Sequence, residues 1–423
     1  MSGETIAPSS PELRANLHHL YWDVLWIGIF GGSLITFISV YLTRIGATSL
    51  QIGLITAGPA LINLIFSIPI GHWLEGRDLF RMVSTTSFLA REGYLLIAFL
   101  PLFLTNSLRI WVTILVILLM ALPSTIFIIS FNAIFAEVVP PAWRAHVVGR
   151  RGAVMALSLS ATLFTCGQLL DWLPHPYNYI LVFGAGAVSA MLSCYHLSKI
   201  RPEGKSESQN KKFLGEFLRP QPSEIRSSPD QSQRSPKALL RKDLILSSFG
   251  LFIFSYLAFY ASQYLPIPIF PIYFVRELGL SDGQIGLANA LFNLTMMLGS
   301  LRLSLASARW GHRKLMVGGA LIFGQYPLLV GLARGPGLVY LTSLVAGFNY
   351  SFLSGGQTNR LMERVPMDDR PARMALHNLA LNFGILVGSL GGPFLGDSLG
   401  LRGALFLAAG LRLLSGILLG WWG

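Results

Sequence analysis

The residues of this chain that could do chemistry stand inside apolar runs. Arg91 and Glu92 fall about ten residues into one run, roughly 15 Å by helix rise. Arg412 lies near the middle of another, and Asp23 opens the first. A charge held in hydrocarbon is costly, so each such residue is a candidate for function, with a structural ion pair or a snorkelling arginine as the alternative. Arg91 and Glu92 are neighbours and cannot face each other on a helix, so each needs its own partner. Neutral polar residues form stripes. Tyr256, Tyr260, Gln263 and Tyr264 fall at i, i+4, i+7 and i+8, one helical face. Asn289 and Asn293 repeat the i, i+4 spacing, as do Asn378 and Asn382, while Asn349, Tyr350 and Gln357 share a run. Earlier in the chain the set is thinner: Asn63, then Ser158, Thr162 and Thr165. Any one of these could be interhelical glue, worth about 0.6 kcal/mol on average. Four on one face exceed what glue needs. A neutral, aromatic lining suits an amphiphilic or uncharged organic molecule better than a polyanion.

Chemistry of other kinds is not supported. No G-x-x-x-x-G-K-[ST] run occurs, and no polar stretch is long enough for a nucleotide domain. No H-E-x-x-H or paired-cysteine spacing suggests a metal, and Ser, His and Asp fall in no hydrolase spacing. Cys166 and Cys194 both stand in apolar runs, which argues against a disulfide framework. We expect no enzyme, no cofactor and no metal.

The elements that must position the polar residues are membrane helices. Hydrophobic residues make up 52% of the chain and charged ones 12%, against roughly 25% charged in a soluble domain. The mean hydropathy is +0.57. Runs of about 20 apolar residues match a bilayer core of roughly 30 Å. The spacing predicts helices over Asp23–Thr43, Leu50–Leu74, Met82–Leu104, Ile110–Phe135, Val147–Leu173 and Tyr177–Leu197, then Leu244–Val275, Gly283–Ser307, Leu315–Ala333, Val339–Leu361, Met374–Leu395 and Leu401–Trp422. Pro123 predicts a kink in the fourth, and Pro266, Pro268 and Pro271 a break in the seventh. Met1 to Leu20 is polar, so no cleavable signal is expected. From Lys199 to Lys242 the composition turns to Ser, Pro, Gln, Lys and Arg, the mark of a disordered linker. Within it Lys211 to Arg219 is amphipathic enough to lie on a membrane surface. The domains are therefore 1–198, a linker 199–242, and 243–423.

The two halves echo each other. Tyr41, Arg44, Gly46 and Gln51-Ile52-Gly53-Leu54 reappear as Tyr273, Arg276, Gly279 and Gln284-Ile285-Gly286-Leu287. Glu137, Pro140, Arg144 and Asp171 reappear 226 residues on as Glu363, Pro366, Arg370 and Asp397. Two copies of one membrane unit account for this. The formal net charge of +12 also has an order. Arg44, Arg109, Arg276, Arg334 and Arg402 fall on one side, Arg91, Arg302 and Arg412 inside helices, and the rest of the 32 Lys and Arg on the other side. The positive-inside rule makes that side cytoplasmic, with both termini there. The bases then meet anionic lipid headgroups rather than nucleic acid.

Short basic runs link the second and third helices of each half: Gly71 to Arg81, and Ser304 to Lys314. They resemble the G-x-x-x-D-R-x-G-R-R/K loop of the major facilitator superfamily. Arg309, Gly311, Arg313 and Lys314 match it, with Ser304 for the first glycine and Ala308 for the acid; in the first half Gly71, Glu75 and Arg81 match less closely. The resemblance implies twelve all-α membrane helices in two six-helix bundles, with the first, fourth, seventh and tenth lining a cavity, aided by the second, fifth, eighth and eleventh. It also implies a cytoplasmic gate. There Glu75, Arg77, Arg81 and Glu137 are expected to dominate, because Ala308 leaves Arg309, Arg313 and Lys314 with only Glu363 as a repeat-related acid.

The implied function is secondary transport of a small organic solute by alternating access, as efflux or otherwise, by a monomer in a bacterial cytoplasmic membrane. If a proton drives it, Asp23, Arg91 and Glu92 are the coupling candidates; facilitated diffusion or another ion is open. The alternative is a protein of the same fold that has lost transport and acts as a receptor or assembly factor.

Overall fold

A computed structural model of the 423-residue chain describes residues 11–201, 242–366 and 369–423. The expected linker lies mostly outside the described residues, as does the amphipathic stretch Lys211–Arg219. The described chain is nearly all helix, and no strand occurs in it. The first half comprises α1 (Pro11–Arg44), α2 (Ser49–Leu74), α3 (Leu79–Phe103), α4 (Asn106–Val138), α5 (Pro141–Trp172) and α6 (Tyr177–Ser198). The second comprises α7 (Ser248–Tyr264), α8 (Asp282–Trp310), α9 (His312–Leu332), α10 (Pro336–Arg364) and a 53-residue helix, Arg370–Trp422. That last helix folds back at Gly400, whose φ of 76° only glycine adopts readily, so it counts as α11 (370–399) and α12 (401–422). Twelve crossings result.

Among the described residues eight helices are long and apolar enough to cross a membrane, the Gly400 pair counting as one. The crossings that fall short are α7, α8 and α10. Prolines interrupt α7, as the sequence predicts, and the chain resumes with a short turn (Ile269–Ile272) and a π-turn (Tyr273–Glu277). α8 and α10 carry the asparagine and glutamine stripes. α4 runs on through Pro123, and α3 breaks at Ala90–Arg91.

The repeated Gln-Ile-Gly-Leu has a physical basis. Thr48 caps α2 and Ser281 caps α8, each in a box completed by Gln51 or Gln284. Gly46 and Gly279, at φ 102° and 59°, turn the chain into the caps. Two residues beyond each glutamine, Gly53 and Gly286 let helices of opposite halves touch. A β-carbon at Gly53 would lie 2.5 Å from the Ser389 carbonyl oxygen, and one at Gly286 2.5 Å from that of Leu163.

Packing is unequal along the molecule. At one end, called distal here, a single buried cluster draws on both halves, with Tyr41, Tyr179, Phe183, Ile272, Tyr273 and Leu280 in contact. At the opposite, terminal end, where α1 begins and α12 finishes, the buried residues form two clusters, one in each half. The halves are joined distally and parted at the terminal end.

Candidate functional site

Polar bonds between the halves concentrate at the distal end. Arg44, ending α1, donates from Nε to Asp282 Oδ1 (2.7 Å) and from Nη2 to the Leu280 carbonyl (2.8 Å). Arg276 donates to the Ala47 carbonyl (2.7 Å), the reciprocal bond of the repeat. Tyr179 donates its hydroxyl to the other oxygen of Asp282 (2.7 Å). Asp171 accepts from the Ser281 hydroxyl (2.6 Å) and the Gly283 N–H (3.0 Å), so an acid of the first half caps a helix of the second. These residues border a distal cavity of about 780 Å³ that also includes His175. The sequence offered Arg44, Arg276 and Asp171 as repeat markers only; their common place at loop ends was the available signal for a latch. Asp282 was missed.

Halfway to the terminal end of the first half lies a buried ionic network. Asp23 is 3% exposed. It pairs with Arg151 of α5 (3.1 Å) and accepts from the Ser193 hydroxyl of α6 (2.6 Å). Arg91, from the break in α3, donates to Ser193 (3.0 Å) and Cys194, and rests on the Phe127 ring. Arg151 packs over Phe131 and Phe135. The break in α3 turns Arg91 inward and leaves Glu92 exposed, so Glu92 has no part in the network. Arg151 and Ser193 were not singled out from sequence, because their place in the network depends on the α1, α5 and α6 contacts.

The second-half stripe divides in two. Tyr256 is fully buried, its hydroxyl bonded to the Gln357 carbonyl (3.0 Å) and the Met316 sulfur. It and Gln357 belong to the bundle core, not to a lining. Tyr260, half-buried, meets His377 Nε2 of α11 at 3.0 Å. Tyr264 is half-buried, and Tyr350 packs on Phe292 and Phe323. Gln263, Asn289, Asn293 and Asn349 are half-buried, and Asn378 is exposed. Asn289, Asn293, Asn349 and the buried Asn382 each donate to the carbonyl four residues back, which leaves their side-chain oxygens for other donors. Asn63 accepts from Thr125 and joins α2 to α4 as glue. His377 was missed; a lone histidine in an apolar run was the signal.

At the terminal end the basic loops are not gates in this conformation. Glu75, Arg77 and Arg81 are exposed, and Arg77 folds back on the Trp73 ring and carbonyl. Gly71 lies within α2; the turn glycine is Gly76, at φ 75°, as Gly311 is in the second half at φ 76°. Aligned on these turns, Trp73 rather than Glu75 stands opposite Ala308. Asp78 caps α3 through the N–H groups of Phe80 and Arg81. Glu137 is half-buried near the end of α4. Glu363 pairs with Arg360 (2.9 Å) and His312 (3.8 Å), not with the loop bases expected. Arg309 lies over Trp310, Arg313 reaches the Gly420 carbonyl, and Lys314 is exposed.

The chain is similar along its length to known transporters. The family model of the major facilitator superfamily matches residues 24–266 and 252–423. An uncharacterized MFS-type transporter of Methanocaldococcus jannaschii is 23% identical over 412 residues, covering 93% of this chain and 96% of the relative. Multidrug resistance protein 2 of Bacillus subtilis is 24% identical over 151 residues, 36% of this chain and 37% of that protein. Among solved structures, a bacterial homologue of the iron transporter ferroportin in an inward-facing state superposes with a TM-score of 0.73 at 15% identity, covering 97% of this chain and 98% of that one. The nucleoside transporter NupG superposes with a TM-score of 0.67 at 11% identity, covering 98% of this chain and 99% of that one. With a twelve-helix membrane architecture and a family match across both halves, the chain belongs to the major facilitator superfamily, a family of multi-pass membrane transporters.

Proposed function

We propose that the protein is a secondary transporter that moves a small, amphiphilic or uncharged organic solute by alternating access. The observation that carries the reading is the split packing: one core shared by both halves distally and separate cores at the terminal end. Such an arrangement closes one mouth of a central path and leaves the other parted. The positive-inside rule makes the parted end cytoplasmic, so the conformation is inward-facing. The half-buried Tyr264, Tyr350, Asn289 and Asn293 supply neutral polar and aromatic contacts for the solute. The partial match to multidrug resistance proteins supports efflux of amphiphilic compounds. In the reverse conformation the bases and acids of the terminal end, Glu75 and Glu137 among them, close the cytoplasmic mouth.

Asp23 is the coupling group of this reading. It is the acid of the buried network in the first half, and protonation would release Arg151 from it. Purified protein in liposomes tests both levels. Solute exchange without a gradient reports transport, and its absence for every candidate solute favours the receptor or assembly-factor alternative. Accumulation driven by a pH gradient reports coupling. Asp23→Asn should abolish the driven accumulation while exchange continues; equal driven accumulation in the variant removes Asp23 from the role.

A further inference from the structure

α1 and α6 pack together, and each presents two polar groups about one turn apart to the other. On α1 these are His19 and Asp23, four residues apart; on α6 they are Ser193 and His196, three apart. They meet in register. At the inner level Ser193 donates to Asp23 (2.6 Å), and at the outer level His19 Nδ1 and His196 Nδ1 stand 3.0 Å apart. Two ring nitrogens at that distance share one proton, which either ring can hold. Asp23 is buried at 3% exposure, whereas both histidines are half-buried and lie about one helical turn nearer the terminal end.

We propose that His19 and His196 form a proton relay that connects water at the terminal end with Asp23. The inference rests on the coupling role given to Asp23. An imidazole nitrogen takes a proton from water; the proton crosses between the rings, and a water bridging the last helical turn carries it to the Asp23 carboxylate, with the Ser193 hydroxyl beside the path. Asp23 becomes neutral, and the imidazole returns to its neutral form. Other aromatic and charged groups face the pair from the elements packed around it. On α1, His18 packs edge-on to His19 and Trp22, and Trp22 stacks on His196 at 5.9 Å and 11°. On α6, Tyr195 and Lys199 flank His196, with Lys199 over the Tyr195 ring. From α3 and α5, Arg91 and Arg151 face the Ser193 and Asp23 level. Positive groups on the far side of Asp23 oppose passage of the proton beyond it.

The test needs no identified solute. Protons are released by a laser flash into a weakly buffered suspension of the purified protein, with pyranine reporting their uptake. The wild type should show an uptake phase that Asp23→Asn removes. In the double variant His19→Gln, His196→Gln that phase should slow by about a hundredfold, the lower end of what one positioned proton-transfer group contributes, and added imidazole should restore it. Glutamine keeps the size and polarity of the site, and rescue by imidazole requires a folded protein. An Asp23-dependent phase of unchanged rate in the double variant overturns the relay alone, as does slowing that imidazole does not reverse. A wild type with no Asp23-dependent phase overturns the coupling role and the relay with it.

Discussion

At the scale of single residues, the buried Arg412 is explained by carbonyls left without donors, one by a proline and one by the break of α7. Arg412 is 1% exposed and has no acid beside it among its described bonds. Its Nη2 donates to the Gln263 carbonyl (2.8 Å) and its Nη1 to that of Phe323 (3.4 Å), and it lies over the Phe323 ring. The Phe323 carbonyl would ordinarily accept from residue 327, which is proline. That of Gln263 would accept from Ile267, whose N–H goes to Tyr264 instead at the break of α7. In hydrocarbon an unsatisfied carbonyl costs several kcal/mol, so Arg412 works as a clamp between α7 and α9. Arg144 acts alike on the Ala136 and Val139 carbonyls ahead of Pro140. Arg412→Gln should therefore lower stability by about 2–4 kcal/mol, read as a fall in apparent Tm in detergent. Adding Pro327→Ala, which returns an N–H to Phe323, should recover part of the loss. A Tm unchanged by Arg412→Gln would remove the clamp. The sequence exposed Arg412, Arg91 and Asp23 as costly charges, but their partners come from four different helices and carry no spacing signal.

At the scale of elements, the repeat was legible because it serves the interface between halves. Each Gln-Ile-Gly-Leu closes a capping box and presents a glycine to the opposite half, so type and spacing are set by contacts the sequence keeps in both copies. The first basic loop was read less well. Its glycine turn lies at Gly76, five residues after Gly71, and spacing alone could not tell a glycine inside α2 from one at φ 75°. Likewise the Tyr256 stripe has helical spacing, yet the helix rotation that buries Tyr256 and leaves Tyr264 half-exposed is set by packing against α9 and α10. The glycine contacts carry a prediction. Gly286→Val puts a branched side chain against the Leu163 backbone, which cannot withdraw as a flexible side chain can. The distal ends should be held apart, and labelling of a cysteine at His175→Cys, on the distal cavity, should rise several-fold. If Gly286→Val labels as the parent does, the α5–α8 contact is not what sets the closed distal state.

At the scale of the whole molecule, the distal latch is built from a symmetric framework with an asymmetric charge. Arg44 and Arg276 each reach a carbonyl of the other half, Leu280 and Ala47, which occupy the same place in the repeat. Only Arg44 also finds a carboxylate, because Asp282 stands where the first half has Ser49. Asp282 is itself held by Tyr179 and by the start of α8, so both of its oxygens are used within the latch. Its side chain is 7% exposed and that of Arg44 31%, which leaves the pair partly screened and worth less than a fully buried one. A bias of about 1–3 kcal/mol toward the distally closed state is the expected scale. Asp282→Asn keeps the shape and one acceptor but removes the charge, so the distal mouth should open more often. A cysteine at Asn106→Cys, which borders the same cavity, should then label faster by roughly 5–150-fold, the range that this bias spans. Arg276→Gln should have a smaller effect, because it forfeits a bond to a carbonyl and no ion pair. The opposite shift is the control: Glu75→Gln, at the terminal end, should leave distal labelling no higher than in the parent. Equal labelling in Asp282→Asn and the parent would show that the shared apolar core around Tyr41 and Tyr273 closes the distal end without the charge.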